Sequence, residues 1–180
     1  MPEPAEQSAT HGRSLTGFYI GLGVVAVLVG LGAWLWIPAK MWYWEREVRE
    51  NSTPSSELPA ADAFLALDRG RLAADRLVAI GPRASPAVAR MIAHSPNSLK
   101  SIAQALGKHK ARWAIPMLAE ACRKETRTSC INAIVAAAEE ITGESLQASV
   151  WTGSKEEASA KAFLKWWERE GESKYGGSVK

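Results

Sequence analysis

Residues 76–92 read RLVAIGPRASPAVARMI, two apolar runs at helical spacing with a Gly-Pro break between them. Gly81 follows the first run, where glycine accepts the left-handed conformation that ends a helix. Pro86 lies just inside the second run, where the backbone N–H that proline lacks would be unpaired in any case. The stretch therefore predicts a hairpin of two helices.

The same order of features recurs further along the chain. Gly107 aligns with Gly81 and Pro116 with Pro86, and a third, weaker unit begins near Thr126 and stops at Gly143. One hairpin cannot bury its apolar face alone, so repeated hairpins must stack on their neighbours. The pattern predicts an all-α fold, a short α-solenoid, with helix breaks near the three glycines.

Two quoted segments, IGPRASPAVARMI and LGKHKARWAIPMLAEAC, resemble HEAT repeats, in particular the short variety found in phycobilisome-lyase-type proteins. The later ITGESLQ and KAFLKWWERE are similar to the closing segment of bacterial HEAT-repeat proteins. The resemblance covers about residues 60–170. It implies a HEAT-like solenoid used for protein interaction, and it brings no catalytic residue with it.

An apolar segment precedes this region. Residues 15–37 carry no charge over 23 positions, which is long enough to cross a hydrocarbon core of about 30 Å. We interpret the segment as an uncleaved transmembrane helix; a cleaved signal peptide and a buried soluble helix are the alternatives. Composition divides the chain into a disordered tail (1–14), the transmembrane helix (15–37), a juxtamembrane segment and linker (38–59), the solenoid with its capping helix (60–170) and a second disordered tail (171–180).

Aromatic and small residues mark this apolar segment. Rings of the kind that settle at lipid headgroups cluster at its end, and we expect the helix to continue past Pro38 as a charged extension. Gly17 and Gly21 form a GxxxG pattern that permits a homodimer through the span. The predicted interface anchors are Trp34, Trp36, Trp42, Tyr43 and Trp44.

A run of basic residues between positions 100 and 127 is the candidate interaction site. It could hold anionic lipid headgroups or nucleic acid, although nucleic acid is disfavoured because no recognition motif accompanies it. A solvated loop face is the alternative. The members of this basic strip are Lys100, Lys108, Lys110, Arg112, Arg123, Lys124 and Arg127.

No enzyme chemistry is predicted. The three histidines, His11, His94 and His109, have no Asp or Glu at a spacing that would form a dyad, and no serine lies in a nucleophile elbow. Cys122 and Cys130 fit no zinc spacing. We therefore expect no catalytic residue, no metal and no cofactor.

The helical period also predicts the core and the end of the fold. Ser154 and Glu157 form a capping box ahead of a last helix, whose aromatic residues close the end of the stack; an exposed aromatic docking surface is the alternative. The predicted core comprises Leu77, Ile80, Val88, Ile92, Ile102, Leu106, Ile115, Leu118, Ile131 and Ile134.

These features predict a single-pass membrane protein whose HEAT-like domain is an adaptor or scaffold for an unidentified protein client. An accessory role to a lyase or a cofactor-handling complex is the alternative that the resemblance raises. Only Arg13 precedes the span closely, whereas Lys40, Arg46 and Arg49 follow it, and this charge bias favours a cytoplasmic domain. Cys122 and Cys130, placed symmetrically about a predicted turn, should then remain thiols.

Overall fold

A computed structural model describes residues 12–52, 59–146 and 155–178. About 90% of it is helical, and the described residues contain no strand, which confirms the all-α prediction. The helices are α1 (Gly12–Asn51), α2 (Ala60–Ala79), α3 (Ser85–His94), α4 (Leu99–Lys108), α5 (Ile115–Lys124), α6 (Thr128–Thr142), α7 (Lys155–Trp166) and α8 (Glu172–Tyr175), with a π-helical turn (Trp167–Gly171) joining α7 to α8. Residues 1–11, in the predicted first tail, lie outside the described residues.

The chain divides into two units, Met1–Ala39 and Lys40–Lys180. The first unit contributes the apolar part of α1, in which every large apolar side chain that the structure describes from Tyr19 to Trp36 is at least half exposed. Helix α1 continues through Pro38 to Asn51, as predicted. By length and composition it is the one helix among the described residues able to cross a membrane, and a signal sequence near an N-terminus meets the same criteria.

The second unit is built around α4, which packs against α2 on one side and α6 on the other. Helix α6 also contacts α7, while α3 contacts α4 and α5, and α5 contacts α6 to α8. Eight of the ten predicted core residues are buried; Ile80 and Ile92 are partly buried and pack against the core. The period of 3.6 residues thus identified the inward faces, and the two misses lie at the edges of those faces.

The start of the second unit is the charged end of α1. Val48 has no exposed surface, and Met41 and Trp44 pack against the core. The Arg76 guanidinium lies 4.8 Å from the Trp44 ring, and a Cβ added to Gly70 would lie 3.1 Å from the carbonyl oxygen of Asn51. The sequence assigned this stretch to the juxtamembrane segment and linker, and its residues Met41, Trp44 and Val48 contribute to the core of the second unit. Residues 53–58 lie outside the described residues.

Two of the three predicted breaks have the predicted cause. Gly81 (φ 83°) and Gly143 (φ 75°) both adopt the left-handed region after α2 and α6. The reason given for Gly107 is wrong: it lies inside α4, and Lys110 (φ 48°) takes the positive φ instead. A Cβ at position 107 would lie 3.1 Å from the Cα of Ala137, so Gly107 permits close packing of α4 on α6.

The prolines behave as predicted. Pro86 and Pro116 each occupy the first turn of their helices, α3 and α5. In both cases the chain enters the helix through a short 3₁₀ turn, Gly81–Ala84 before α3 and Arg112–Ala114 before α5. Helices α3 and α5 therefore begin in the same way, each after a 3₁₀ turn.

The aromatic residues at the end of the chain close the core. Phe163 is fully buried, Trp166 and Trp167 nearly so, and Phe163 stacks on Trp166 with centroids 6.1 Å apart. The alternative of an exposed aromatic docking surface is therefore wrong. Helix α7 begins at Lys155, and Ser154 of the predicted capping box lies outside the described residues. The sequence placed a disordered tail from residue 171, whereas residues 171–178 are helical and Tyr175 packs against the core.

Candidate protein-interaction groove

A groove with a volume of about 570 Å³ lies between α3 and α5. Its apolar lining comes from one face of each helix, because residues three and four apart in a helix point the same way. The opposite faces of both helices, with Val88 and Leu118, are buried in the core. The groove lining, apart from its charged residues, comprises Ala89, Ile92 and Ala93 of α3, Pro116, Met117 and Ala121 of α5, Leu99 of α4, and Gly176.

One end of the rim is held by Glu125 and Arg127, in the loop between α5 and α6. Arg127 donates from Nη2 to Oε2 of Glu125 at 2.6 Å and from Nε to Oε1 at 3.0 Å. The backbone N–H groups of Thr126 and Arg127 donate to Oε1 as well, and these bonds together lower the pKa of Glu125 to about 2. Arg127 also donates from Nη1 to Oδ1 of Asn97 at 3.3 Å. The bond to Asn97 joins this loop to the turn between α3 and α4.

The other charged part of the rim is on α5. Lys124 approaches Glu120 at 2.8 Å and Arg123 approaches it at 3.4 Å. The hydrogen bond from Lys124 is the main cause that lowers the pKa of Glu120, and the contact with Arg123 lowers it further. Both rim carboxylates are therefore ionised and paired at neutral pH. A rim of paired charges around an apolar floor favours a partner that brings apolar side chains rather than a simple anion.

The structure places six of the seven residues of the predicted basic strip in two separate groups. Lys124 and Arg127 line the groove, and Arg123 lies beside Lys124 in the last turn of α5. Lys108 lies at the end of α4, and Lys110 and Arg112 are exposed just before α5. The ten residues of α5 separate the groups by about 15 Å, since a helix rises about 1.5 Å per residue. Lys100, in the first turn of α4, is exposed.

One histidine has a carboxylate partner that is distant in the sequence, outside the local spacings considered above. Nε2 of His109 lies 2.9 Å from Oδ1 of Asp75 on α2, and Nζ of Lys108 lies 2.8 Å from the same atom. The hydrogen bond from Lys108 is the main cause that lowers the pKa of Asp75. Thirty-four residues separate Asp75 from His109, so no spacing rule could find the pair. The contacts of Asp75 with Lys108 and His109 join α2 to the end of α4.

The predicted membrane anchors differ in their surroundings. Trp36, Trp42 and Tyr43 are exposed on α1, whereas Trp44 is half-buried beneath Arg76 in the second unit. The side chain of Trp34, and the surroundings of the GxxxG residues Gly17 and Gly21, lie outside what the structure describes, although all three are in α1.

Sequence reasoning missed a second apolar surface, on α2. Phe64 is 71% exposed, and Leu65, Leu67 and Leu72 are exposed with it. The packed face of α2 consists mainly of small residues, Gly70, Ala73 and Ala74 among them. These small residues permit close contact with the neighbouring helix, whereas Phe64, Leu65, Leu67 and Leu72 lie outside the packed face. The spacing of these small residues is the signal that would have found the exposed face.

The chain matches no protein-family model, and no curated protein and no solved structure is significantly similar to it. Among the described residues, no group of three or more His, Cys, Asp or Glu is placed to hold a metal ion.

Proposed function

We propose that this protein is a membrane-anchored helical adaptor whose α3–α5 groove receives an amphipathic segment of a partner protein. The observation that carries the proposal is the groove itself, with an apolar floor and a rim whose charges are fixed by ion pairs. Met117, on that floor, is half-buried. Methionine adapts its shape to apolar partners. Apolar anchors of the partner segment would lie between the helices, and its polar groups would meet Glu120, Lys124 and Arg127.

Stacked HEAT-like hairpins are part of the proposal. Support comes from the contacts of α4 with both α2 and α6, and from the contact between α3 and α5. In a stack of hairpins the second helices lie side by side, which is where the groove is found. The short stack would then use α7 and α8 as its closing element.

Membrane anchoring is the other part of the proposal. The large apolar side chains of α1 that the structure describes from Tyr19 to Trp36 are exposed, and no charge lies between positions 15 and 37. The intact mass of the protein extracted from cell membranes separates an anchor from a cleaved signal sequence. An anchor retains the N-terminal residues, whereas a mass that lacks residues 1–37 would contradict this assignment.

We further propose that the second unit faces the cytoplasm, on the charge bias around the span. The thiols provide the test, since Cys122 and Cys130 are both free and buried. Burial raises the pKa of the Cys122 thiol to about 11, so alkylation must follow denaturation. Full alkylation of both thiols under a rapid quench supports a reducing compartment. A quantitative disulfide would place the unit on the oxidising side.

Site-directed photocrosslinking tests the groove. A photoreactive residue at Met117 should give an adduct of one discrete mass in cells, whereas one at the exposed Ala136 of α6 should give none. Adding Ala93→Trp, a change at an exposed groove position, should abolish the Met117 adduct by filling the space between the helices. Equal adducts from both positions, or a Met117 adduct that survives Ala93→Trp, would contradict the proposal.

A further inference from the structure

Three arginines meet at a second cavity, with a volume of about 500 Å³, in the second unit. Arg46 and Arg49 come from the end of α1 and Arg90 comes from α3. The rest of the cavity lining comprises Trp42, Glu45 and Glu50. Three guanidiniums against two carboxylates leave the cavity with an excess of positive charge. We call the three residues the arginine cluster.

Glu45 organises two members of the cluster. Its side chain is only 8% exposed, and Oε2 accepts from Nη2 of Arg90 at 2.7 Å. Oε1 accepts from Nε of Arg90 at 3.3 Å and from Nη2 of Arg49 at 3.1 Å. A guanidinium has five N–H donors, and both arginine side chains are more than half exposed. One buried carboxylate therefore holds two guanidiniums together while most of their donors face solvent.

The third arginine is easily redirected. Nε of Arg46 lies 2.6 Å from Oε1 of Glu50 in an exposed i,i+4 pair. Its guanidinium lies 5.8 Å from the Trp42 ring. An exposed ion pair of this kind is weak, so a stronger anion can replace Glu50. The fork of a guanidinium matches the oxygens of a phosphate group, and several forks at one point favour that anion over a carboxylate.

The neighbouring side chains indicate the source of the phosphate. Trp42 and Tyr43 are both at least half exposed, and amphipathic rings of this kind settle at lipid headgroups. Trp42 follows Ile37, the end of the uncharged segment, by five positions, which limits their separation to about 17 Å in any conformation. We propose that the arginine cluster binds the phosphate group of an anionic membrane lipid. This source of phosphate rests on the membrane anchor of the proposed function.

The site differs from the basic strip in how its charges are used. Lys108, Arg123, Lys124 and Arg127 each contact a carboxylate, and the two that line the same cavity, Lys124 and Arg127, share it with Glu120 and Glu125. In the arginine cluster the carboxylate that pairs two of the arginines is buried beneath them. The sequence suggested lipid binding at residues 100–127, and the present proposal places a lipid site at residues 42–50 and 90.

Thermal unfolding of the whole chain in an uncharged maltoside detergent tests the site. Titration with dioctanoylphosphatidylglycerol should raise the unfolding midpoint saturably, by about 5 °C or more at a hundred times the dissociation constant. Dioctanoylphosphatidylcholine and inorganic phosphate should shift it far less. An equal saturable shift with inorganic phosphate would replace the lipid by a free phosphate ion, and an equal shift with phosphatidylcholine would remove the selection for an anionic headgroup; either result overturns the proposal.

Substitutions in the arginine cluster test whether the lipid binds there. Arg46→Gln with Arg49→Gln leaves Glu45 paired with Arg90 and should weaken the apparent affinity for phosphatidylglycerol at least tenfold. Arg46→Gln alone, at an exposed pair, keeps the test valid if the double variant loses its fold, and it should weaken binding several-fold. The matched control, Lys100→Gln with Arg112→Gln, removes the same charge from the basic strip and should leave the affinity unchanged. Equal loss in control and cluster variants, or unchanged affinity in the cluster variants, would refute the site.

This experiment is independent of the adaptor role, because the detergent-solubilised chain needs neither a client nor a bilayer. Failure of the groove crosslinks would leave the lipid titration untouched. Cleavage of residues 1–37 would remove the anchor without changing the arginine cluster.

Discussion

Leu28 and Leu106 are the same residue in two different settings. Leu28, in the first unit, is 62% exposed, whereas Leu106, in α4 of the second unit, has no exposed surface. In the second unit apolar side chains leave water by packing on other helices of the same chain. The large apolar side chains that the structure describes from Tyr19 to Trp36 stay at least half exposed among the described residues, so further burial can come only from something outside those residues. Residue type alone therefore does not determine whether an apolar side chain is buried within its own chain or left exposed to be covered from outside.

The largest expected effect concerns the exposed apolar side chains of the first unit. Val27→Arg with Leu31→Arg should move the protein out of the membrane fraction, because each arginine near the centre of a spanning helix costs about 2.5–3.5 kcal/mol. High-pH carbonate extraction measures the change. Phe64→Arg with Leu72→Arg makes the same replacement at exposed apolar residues of the second unit, and this control should stay in the membrane. Retention of both variants would contradict the assignment of 15–37 as a span.

The next effect concerns where the second unit begins. A fragment of residues 40–180 should unfold cooperatively, whereas one of residues 60–180 should be less stable by about 3–6 kcal/mol, since Val48 and parts of Met41 and Trp44 lose their burial at about 1.5–3 kcal/mol per fully buried side chain. Urea denaturation of the two fragments gives the difference. Val48→Ala in the longer fragment should reproduce part of the loss. Equal midpoints would show that the end of α1 adds nothing.

A pair of point substitutions tests burial within the second unit. Leu106→Ala should lower the free energy of unfolding by about 2–5 kcal/mol, because a fully buried leucine leaves a cavity. Phe64→Ala, at a residue 71% exposed, should change it by less than about 0.5 kcal/mol. Chemical denaturation measures both. Similar losses at the two positions would mean that Phe64 is covered in solution.

The smallest expected effect is an acid sensitivity at the groove rim. The pKa of Glu125 is lowered to about 2 in the folded protein, so its stabilising effect is complete above the ordinary glutamate pKa and is lost as the pH falls towards 2. Glu125→Gln should cost about 1–2 kcal/mol at pH 7, reduced by the partial exposure of Arg127. The difference from the unsubstituted chain should shrink between pH 4.5 and 2.5 in thermal melts. Arg127→Gln should remove the same pH dependence, and a constant difference across that range would disprove the assignment.

Local signals predicted much of this fold. The helical period identified Leu77, Ile102 and Leu118 as core, and the proline rule placed the starts of α3 and α5. These inferences succeed because the relevant contacts repeat every turn along one helix. The all-α class followed from the same signals.

Contacts between distant elements were not predictable in this way. Glu45 with Arg90, and Asp75 with His109, pair across 45 and 34 residues. The face of α3 that lines the groove carries Ala89 and Ile92, which look like ordinary core residues until α5 is placed beside them. The helix-ending role predicted for Gly107 was wrong because glycine occurs both at helix ends and where helices pack closely. Only the position of α6 distinguishes these two roles.

The close approach of Gly107 in α4 to Ala137 in α6 limits which mutations position 107 can accept. Any single-base change that turns a glycine codon into the codon of another amino acid introduces a Cβ, and at position 107 that atom would lie 2.6 Å from Oε2 of Glu140 as well as near the backbone of α6. Glu140 is exposed and can be shortened or turned away, whereas the backbone of Ala137 cannot. Descendants of this chain should therefore retain glycine at position 107, whereas position 140 should vary more freely.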